Sequence, residues 1–272
     1  DTVVHHDSQL ALLEADAEGE NASRSNLRIR VWIKCDTGMH RLGFPLARLA
    51  EVRARLTALR AIDPQIVTMT HLASSDEFDG AQTTRQLEAF AHASSESGPR
   101  SISNSAAVLG WPAAHADWVR VGGALYGLSV VAGRTGADFG LRAAMTLSTR
   151  LIAINRVARG ERIGYSATWK APEDMDVGVA AIGYGDGYPR SVASGTPVML
   201  TSAGVHQRVP IIGRVSMDLT TLDLRTAPTA RVGDIVTLWG DGLPVEEVAA
   251  AAGTISYELT CSITRRVQFV ED

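Results

Sequence analysis

The chain has 272 residues, 45% hydrophobic and 21% charged, with a formal net charge of −4. That balance describes a globular protein of one large domain or two medium ones. It argues against a nucleic-acid binder, which would present a basic face, and no apolar run reaches the roughly 18 residues that a membrane span takes. The opening DTVVHHDSQL lacks the basic start and long apolar stretch of a signal peptide. The expected compartment is therefore the cytoplasm, with neither nucleic acid nor membrane as a partner. Cys35 and Cys261 stand far apart and offer no metal-type spacing.

In chain order, strands are predicted over 2–6, 27–35, 65–71, 101–104 and 118–122. Helices are predicted between them over 8–18, 45–59 and 79–95. Strand and helix in alternation make the pattern of a parallel (β/α)8 TIM-type barrel. Five predicted strands are fewer than the eight with which such a barrel closes. After about residue 140 the helices nearly stop. Short strands separated by Gly-rich turns follow, in MTLSTRLIAINRV, VGVAAIGYGDGY, TPVMLTSAGVHQRVPIIGRV and DIVTLWG, with one helix over 244–253. The predicted fold is thus α/β: an incomplete barrel over residues 1–138, then a mostly β domain over 139–272.

In a parallel barrel the residues just after each strand gather at one rim, where active sites are built. Here they are Lys34 and Arg41, His71, Asn104 with Ser105, and Arg120 leading into Gly122 and Gly123. Each has an ordinary structural explanation. Lys34, one of two lysines among 26 basic residues, would be a strand-end lysine reaching for solvent. His71 would be a hydrogen-bonded core histidine, Asn104-Ser105 a helix cap, and the glycines a turn. Taken together, the serine hydroxyl and the successive glycine amides near helix starts also suit a phosphate cradle.

The segments KCDTGMHRLGF, THLASSDE, NSAAVL, VRVGGALYGL, IGYSATW, AAIGYGDGYPRS, GRVSMD and SYELTCSITRRV closely resemble the successive motifs of the alanine racemases. The resemblance runs the length of the chain. It implies pyridoxal 5'-phosphate as cofactor, alanine as substrate, and a head-to-tail homodimer with shared active sites. Production of D-alanine for peptidoglycan, or its degradation, would be the role. Arg120 is similar to the arginine that faces the pyridine nitrogen, and its high pKa keeps it from protonating that atom. His71 resembles the histidine that orients this arginine. Ser105, Gly122, Gly123 and Tyr257 resemble the phosphate ligands, with Asn104 beside them. Tyr165 resembles the tyrosine base that works on one face of the substrate α-carbon. Met217 matches a residue whose amide helps hold the substrate carboxylate. Lys34 matches a lysine often carbamylated by CO2, whose acquired negative charge would hold Arg41 by charge-assisted hydrogen bonds. Arg41 would in turn meet the substrate carboxylate and the phenolic oxygen of the cofactor. An unmodified ammonium beside Arg41 would bring two cations together, so a lowered pKa is expected for Lys34.

One expected element has no match. The family attaches its cofactor to a lysine on the first barrel strand, in a VKADAYGHG-like motif, and neither Lys34 nor Lys170 lies in such a segment. The resemblance thus implies a chain that begins near the fourth barrel strand. Two expectations follow: an alanine racemase using a lysine and Tyr165 on opposite faces, or a non-catalytic fragment with open sheet edges that associate. A third is another barrel-type pyridoxal-phosphate enzyme, such as a decarboxylase or a broad-specificity racemase.

Overall fold

The computed structural model describes residues 1–18, 28–93 and 98–271. It divides into two compact units, Asp1–Gly122 and Gly123–Asp272. Residue 27 of the predicted second strand and residues 94–95 of the predicted third helix lie outside the described residues.

The first unit is a parallel sheet with a helix after each main strand. In chain order the elements are β1 (Thr2–Val4), α1 (Asp7–Glu18), β2 (Val31–Asp36), β3 (Phe44–Pro45), α2 (Leu49–Thr57), β4 (Val67–Met69), α3 (Ala81–Ala93), β5 (Arg100–Ser101) and α4 (Ser105–Gly110). The sheet order is β1-β2-β4-β5, with β3 paired to β2. All pairings are parallel, in the registers Thr2↔Val31, Trp32↔Val67 and Thr68↔Arg100. Parallel neighbours need a crossover of a dozen or so residues, and the helices supply it. Val31, Ile33 and Cys35 of β2 are buried against Leu10, Val52 and Leu56 of the flanking helices, so β2 reads as a nearly unbroken apolar run.

The predicted strand at 118–122 is not formed. Only an isolated parallel bridge, Ser101↔Trp118, marks the place. Beyond it Arg120 spends its backbone N–H on the Ser103 carbonyl, 3.0 Å away, and Gly122 donates to a side chain. The local ladder ends there.

The second unit is built on antiparallel strands: β6 (Leu147–Val157), β7 (Arg162–Ile163), β8 (Trp169–Lys170), β9 (Met175–Ala180), β10 (Pro197–Ser202), β11 (Val205–Pro210), β12 (Thr220–Asp223) and β13 (Ile235–Trp239). Six of them form one sheet in the order β11-β10-β13-β6-β9-β12. The β10–β11 hairpin turns on Ala203 and Gly204, both at positive φ (49° and 80°), the twist that two-residue hairpins favour. Past β11 the chain bridges Ile211 to Leu222 on β12. The two ends of the sheet therefore meet, and closure removes open edges. Leu151, Leu200, Ile211, Leu222, Val236 and Trp239 fill the interior. Helix α5 (Val245–Ala252) occupies the predicted 244–253 stretch, and a second helix, α6 (Ser256–Cys261), follows it. That second helix is six residues long, too short for an apolar period to announce it.

Candidate active site

On the first unit the parallel sheet sends its strand ends one way. Lys34, near the end of β2, is only 9% exposed. Among the described residues no hydrogen bond or ion pair engages it. Burial, and then the positive charges of Arg41 and Arg120, push its pKa below the ordinary lysine value, with Asp36 opposing. That direction agrees with the one expected from sequence.

The loop after β2 is organised by Asp36. Its Oδ1 accepts the N–H groups of Gly38, Met39 and His40 at 2.9, 3.2 and 3.0 Å, and its Oδ2 lies 2.9 Å from His40 Nδ1. Burial pulls this carboxyl upward, but hydrogen bonds from Gly38 and His40 outweigh it and leave the pKa lowered. The loop closes at Gly43 (φ 134°), where a Cβ would stand 2.6 Å from the Asp36 backbone nitrogen. Arg41 rides this loop, exposed, with no hydrogen bond or ion pair among the described residues.

Arg120 has no carboxylate partner among the described residues. One terminal nitrogen donates to Ser101 O (3.1 Å) and Ser101 Oγ (2.7 Å). The other serves Thr70 O (2.7 Å) and Ile102 O (3.2 Å) and sits 3.4 Å from His71 Nδ1. Burial lowers the Arg120 pKa to about 10. Burial first, and then Arg120, Lys34 and Arg41, lower that of His71 to about 4. His71 is consequently neutral near pH 7, and Nδ1 can accept from Arg120 only if the ring proton sits on Nε2.

Asn104 is the N-cap of α4. Its Oδ1 accepts from Ala107 N (3.1 Å) and Ser75 Oγ (2.7 Å), while Nδ2 donates to Leu72 O (3.3 Å). With its amide engaged on both sides, Asn104 positions Ser105, the first residue of α4. Ser105 Oγ accepts the Gly122 N–H at 2.9 Å.

The second unit carries the other sequence-selected residues. Gly123 N donates to Tyr257 Oη at 2.8 Å, and a Cβ on Gly123 would lie 2.8 Å from Tyr257 Cζ. Tyr165 is 66% exposed on a turn where Gly164, Ser166 and Ala167 all have positive φ (74°, 60° and 49°). Two non-glycine residues held there indicate strain of the kind that collects at functional sites. Met217 is 52% exposed. Its carbonyl accepts Gly185 N at 2.8 Å, whereas its own amide has no acceptor among the described residues. Arg266 braces the same turn, reaching Asp186 at 3.3 Å and Asp218 at 2.5 Å.

Sequence reasoning missed the polar residues behind the first group: Asp36, Thr37, Thr70 and Gln86. A signal for Gln86 was present. It shares the buried face of α3 with Thr83 and Phe90, so a polar residue stands in an apolar period.

Comparisons with known proteins converge. A family model described as alanine racemase, N-terminal domain, matches residues 1–130, and one described as alanine racemase, C-terminal domain, matches 144–271. An alanine racemase from Nitrosococcus oceani is 52% identical over 265 residues, covering 97% of this chain and 71% of that protein. The crystal structure of a biosynthetic alanine racemase from Pseudomonas aeruginosa superposes with a TM-score of 0.87 at 42% identity, over 98% of this chain and 72% of that one. An alanine racemase from Bartonella henselae, with covalently bound pyridoxal phosphate, shares the fold at a TM-score of 0.80 and 24% identity, over 97% and 71%. With both halves of the sequence matched and the fold of both shared, the chain belongs to the alanine racemase family.

Proposed function

We propose that the enzyme carrying this sequence interconverts L- and D-alanine with pyridoxal 5'-phosphate. The observation that carries the reading is Arg120: a buried guanidinium held by carbonyls and a serine, against a neutral histidine, with no carboxylate partner among the described residues. That suits an unprotonated ring nitrogen, toward which Arg120 would donate a hydrogen bond without giving up its proton. In the first unit the Ser105 hydroxyl and the Gly122 amide, and separately in the second the Tyr257 hydroxyl and the Gly123 amide, are groups of the kind that hold a phosphate. When bound, the cofactor supplies an electron-withdrawing ring that makes the α-hydrogen of alanine acidic.

The remaining work falls to side chains of the protein. Arg41 pairs with the substrate carboxylate, assisted by the Met217 N–H, which has no acceptor among the described residues. Tyr165 Oη takes or returns the α-proton on one face. The base for the opposite face, and the attachment of the cofactor, are assigned to no residue of this sequence. Lys34 serves through an acquired charge: its neutral amine adds CO2, a proton leaves, and the resulting carbamate holds Arg41. Its lowered pKa, and the lack of a partner among the described residues, support this. Tyr165 and Met217, both well exposed, act across the interface of a homodimer.

Tyr165→Phe provides the test. The ring is kept and the hydroxyl lost, so exchange of the alanine α-hydrogen in D2O should fall by about a hundredfold, within the range for a general base. Pyridoxal-phosphate binding should persist. Normal exchange in this variant would remove Tyr165 from the reaction.

A further inference from the structure

We infer that Gln86 is a positioning residue that locks the Arg41 loop and the His71–Arg120 pair to one another, an inference that rests on the racemase reading above. Gln86 projects from α3 and is completely buried, at 0% exposure. Its Oε1 accepts the Ala73 N–H at 2.8 Å, while Nε2 donates to His71 O at 3.1 Å and to Thr37 Oγ1 at 3.0 Å. The amide orientation follows from chemistry, because a backbone N–H can only donate and a carbonyl can only accept.

From Thr37 the hydrogen bonds run in one direction. Thr70 Oγ1 donates its single proton to Cys35 O at 3.1 Å. The 2.7 Å contact between the Thr37 and Thr70 hydroxyls must then be donated by Thr37, which leaves Thr37 free to accept from Gln86. The chain Gln86→Thr37→Thr70→Cys35 thus joins α3 to the peptide next to Lys34. One turn earlier on the same helix, Gln82 Nε2 donates to Gly38 O at 3.0 Å. Helix α3 therefore grips the Arg41 loop at two successive residues, while Gln86 also fixes the backbone of His71. A glutamine head meets this demand with two donors and one acceptor at no charge. Glutamate would lose both donors and bury an anion, and methionine would leave three groups unsatisfied.

The test compares Gln86→Met, Thr37→Val, their double variant and Arg41→Ala in the natural racemase that carries this sequence. Phe90→Leu, also on α3, controls for general loosening of the helix. Steady-state kinetics should show KM for alanine raised about tenfold in Gln86→Met and in Thr37→Val, on the scale of a small misplacement of a binding group. The double variant should be no worse than Gln86→Met alone. In cofactor-free protein, NMR titration of the His71 ring should move toward the ordinary histidine value in Gln86→Met and stay in place in Phe90→Leu. Additive losses in the double variant, or an equal KM rise in Phe90→Leu, would overturn the role. Normal KM and an unmoved His71 titration in Gln86→Met, with Arg41→Ala impaired, would overturn it and leave the racemase reading standing. A normal Arg41→Ala would overturn both.

Discussion

Lys34 and His71 share one electrostatic problem, since both lie in a region where Arg41 and Arg120 carry positive charge. A neutral Lys34 is the form that can add CO2, so the arrangement that disfavours its proton favours the carbamate. Lys34→Ala should lower activity strongly, and acetate should partly restore it by placing a carboxylate beside Arg41. No rescue by acetate, together with an intact mass showing an unmodified lysine, would defeat the carbamate assignment. His71 answers by staying neutral, and this gives a pH signature. Its pKa is about 4 in the folded chain against an ordinary histidine value of 6.5. Between those values the unfolded chain binds more protons, so stability rises with pH across the window. Chemical denaturation of the parent and of His71→Gln, at a series of pH values, should show the stability of the parent relative to the variant falling as pH drops from 6.5 to about 4. A constant difference would mean that His71 is not held neutral.

At the scale of elements, short helices and turns set donors in place. Helix α4 starts where Asn104 caps it, which puts Ser105 at its first residue. Helix α6 delivers Tyr257 to the Gly123 amide. Because a Cβ on Gly123 would sit 2.8 Å from the Tyr257 ring, Gly123→Ala must displace that ring. Overpacking of this kind costs on the order of 1–3 kcal/mol, so the thermal midpoint should drop, and affinity for pyridoxal phosphate should drop with it. A variant with the parent's midpoint and cofactor affinity would show that the close approach is not needed.

At the scale of the whole molecule, two units serve different ends. The first unit holds Lys34 near the end of β2, His71 just past β4, Ser105 at the start of α4 and Arg120 on the irregular segment after the Ser101–Trp118 bridge, and the closed β unit holds Tyr165 and Met217 on surface turns. The interior of the second unit contains a tolerance worth measuring. Tyr188 and Trp239 stack at 5.8 Å, and neither the tyrosine hydroxyl nor the indole N–H has a hydrogen-bond partner among the described residues. An unpaired buried polar group carries a desolvation cost of about 1–3 kcal/mol. Tyr188→Phe should therefore leave stability in urea unchanged or raise it. A loss above about 1 kcal/mol would indicate that the hydroxyl holds an internal water.

Local signals carried the sequence-level reading where the relevant physics is local. The apolar run Val31–Ile33 announced β2, the alternation of strands and helices announced the parallel sheet, and chain order put Lys34 and His71 close to the ends of β2 and β4. Motifs such as GYSATW and GRVSMD carried the family. The run WVRVG pointed equally to a strand at 118–122, and there tertiary geometry prevailed, because Arg120 and Gly122 hydrogen-bond to Ser103 and Ser105. The pair Asn104-Ser105 already read as a helix cap, and the structure bears that out with Asn104; only the folded chain decided that the ends of the β unit meet through Ile211 and Leu222 and that Gln86 joins three segments. Periodicity records which face of an element is buried. It does not record which distant donor an acceptor will meet, because that depends on how separate segments pack.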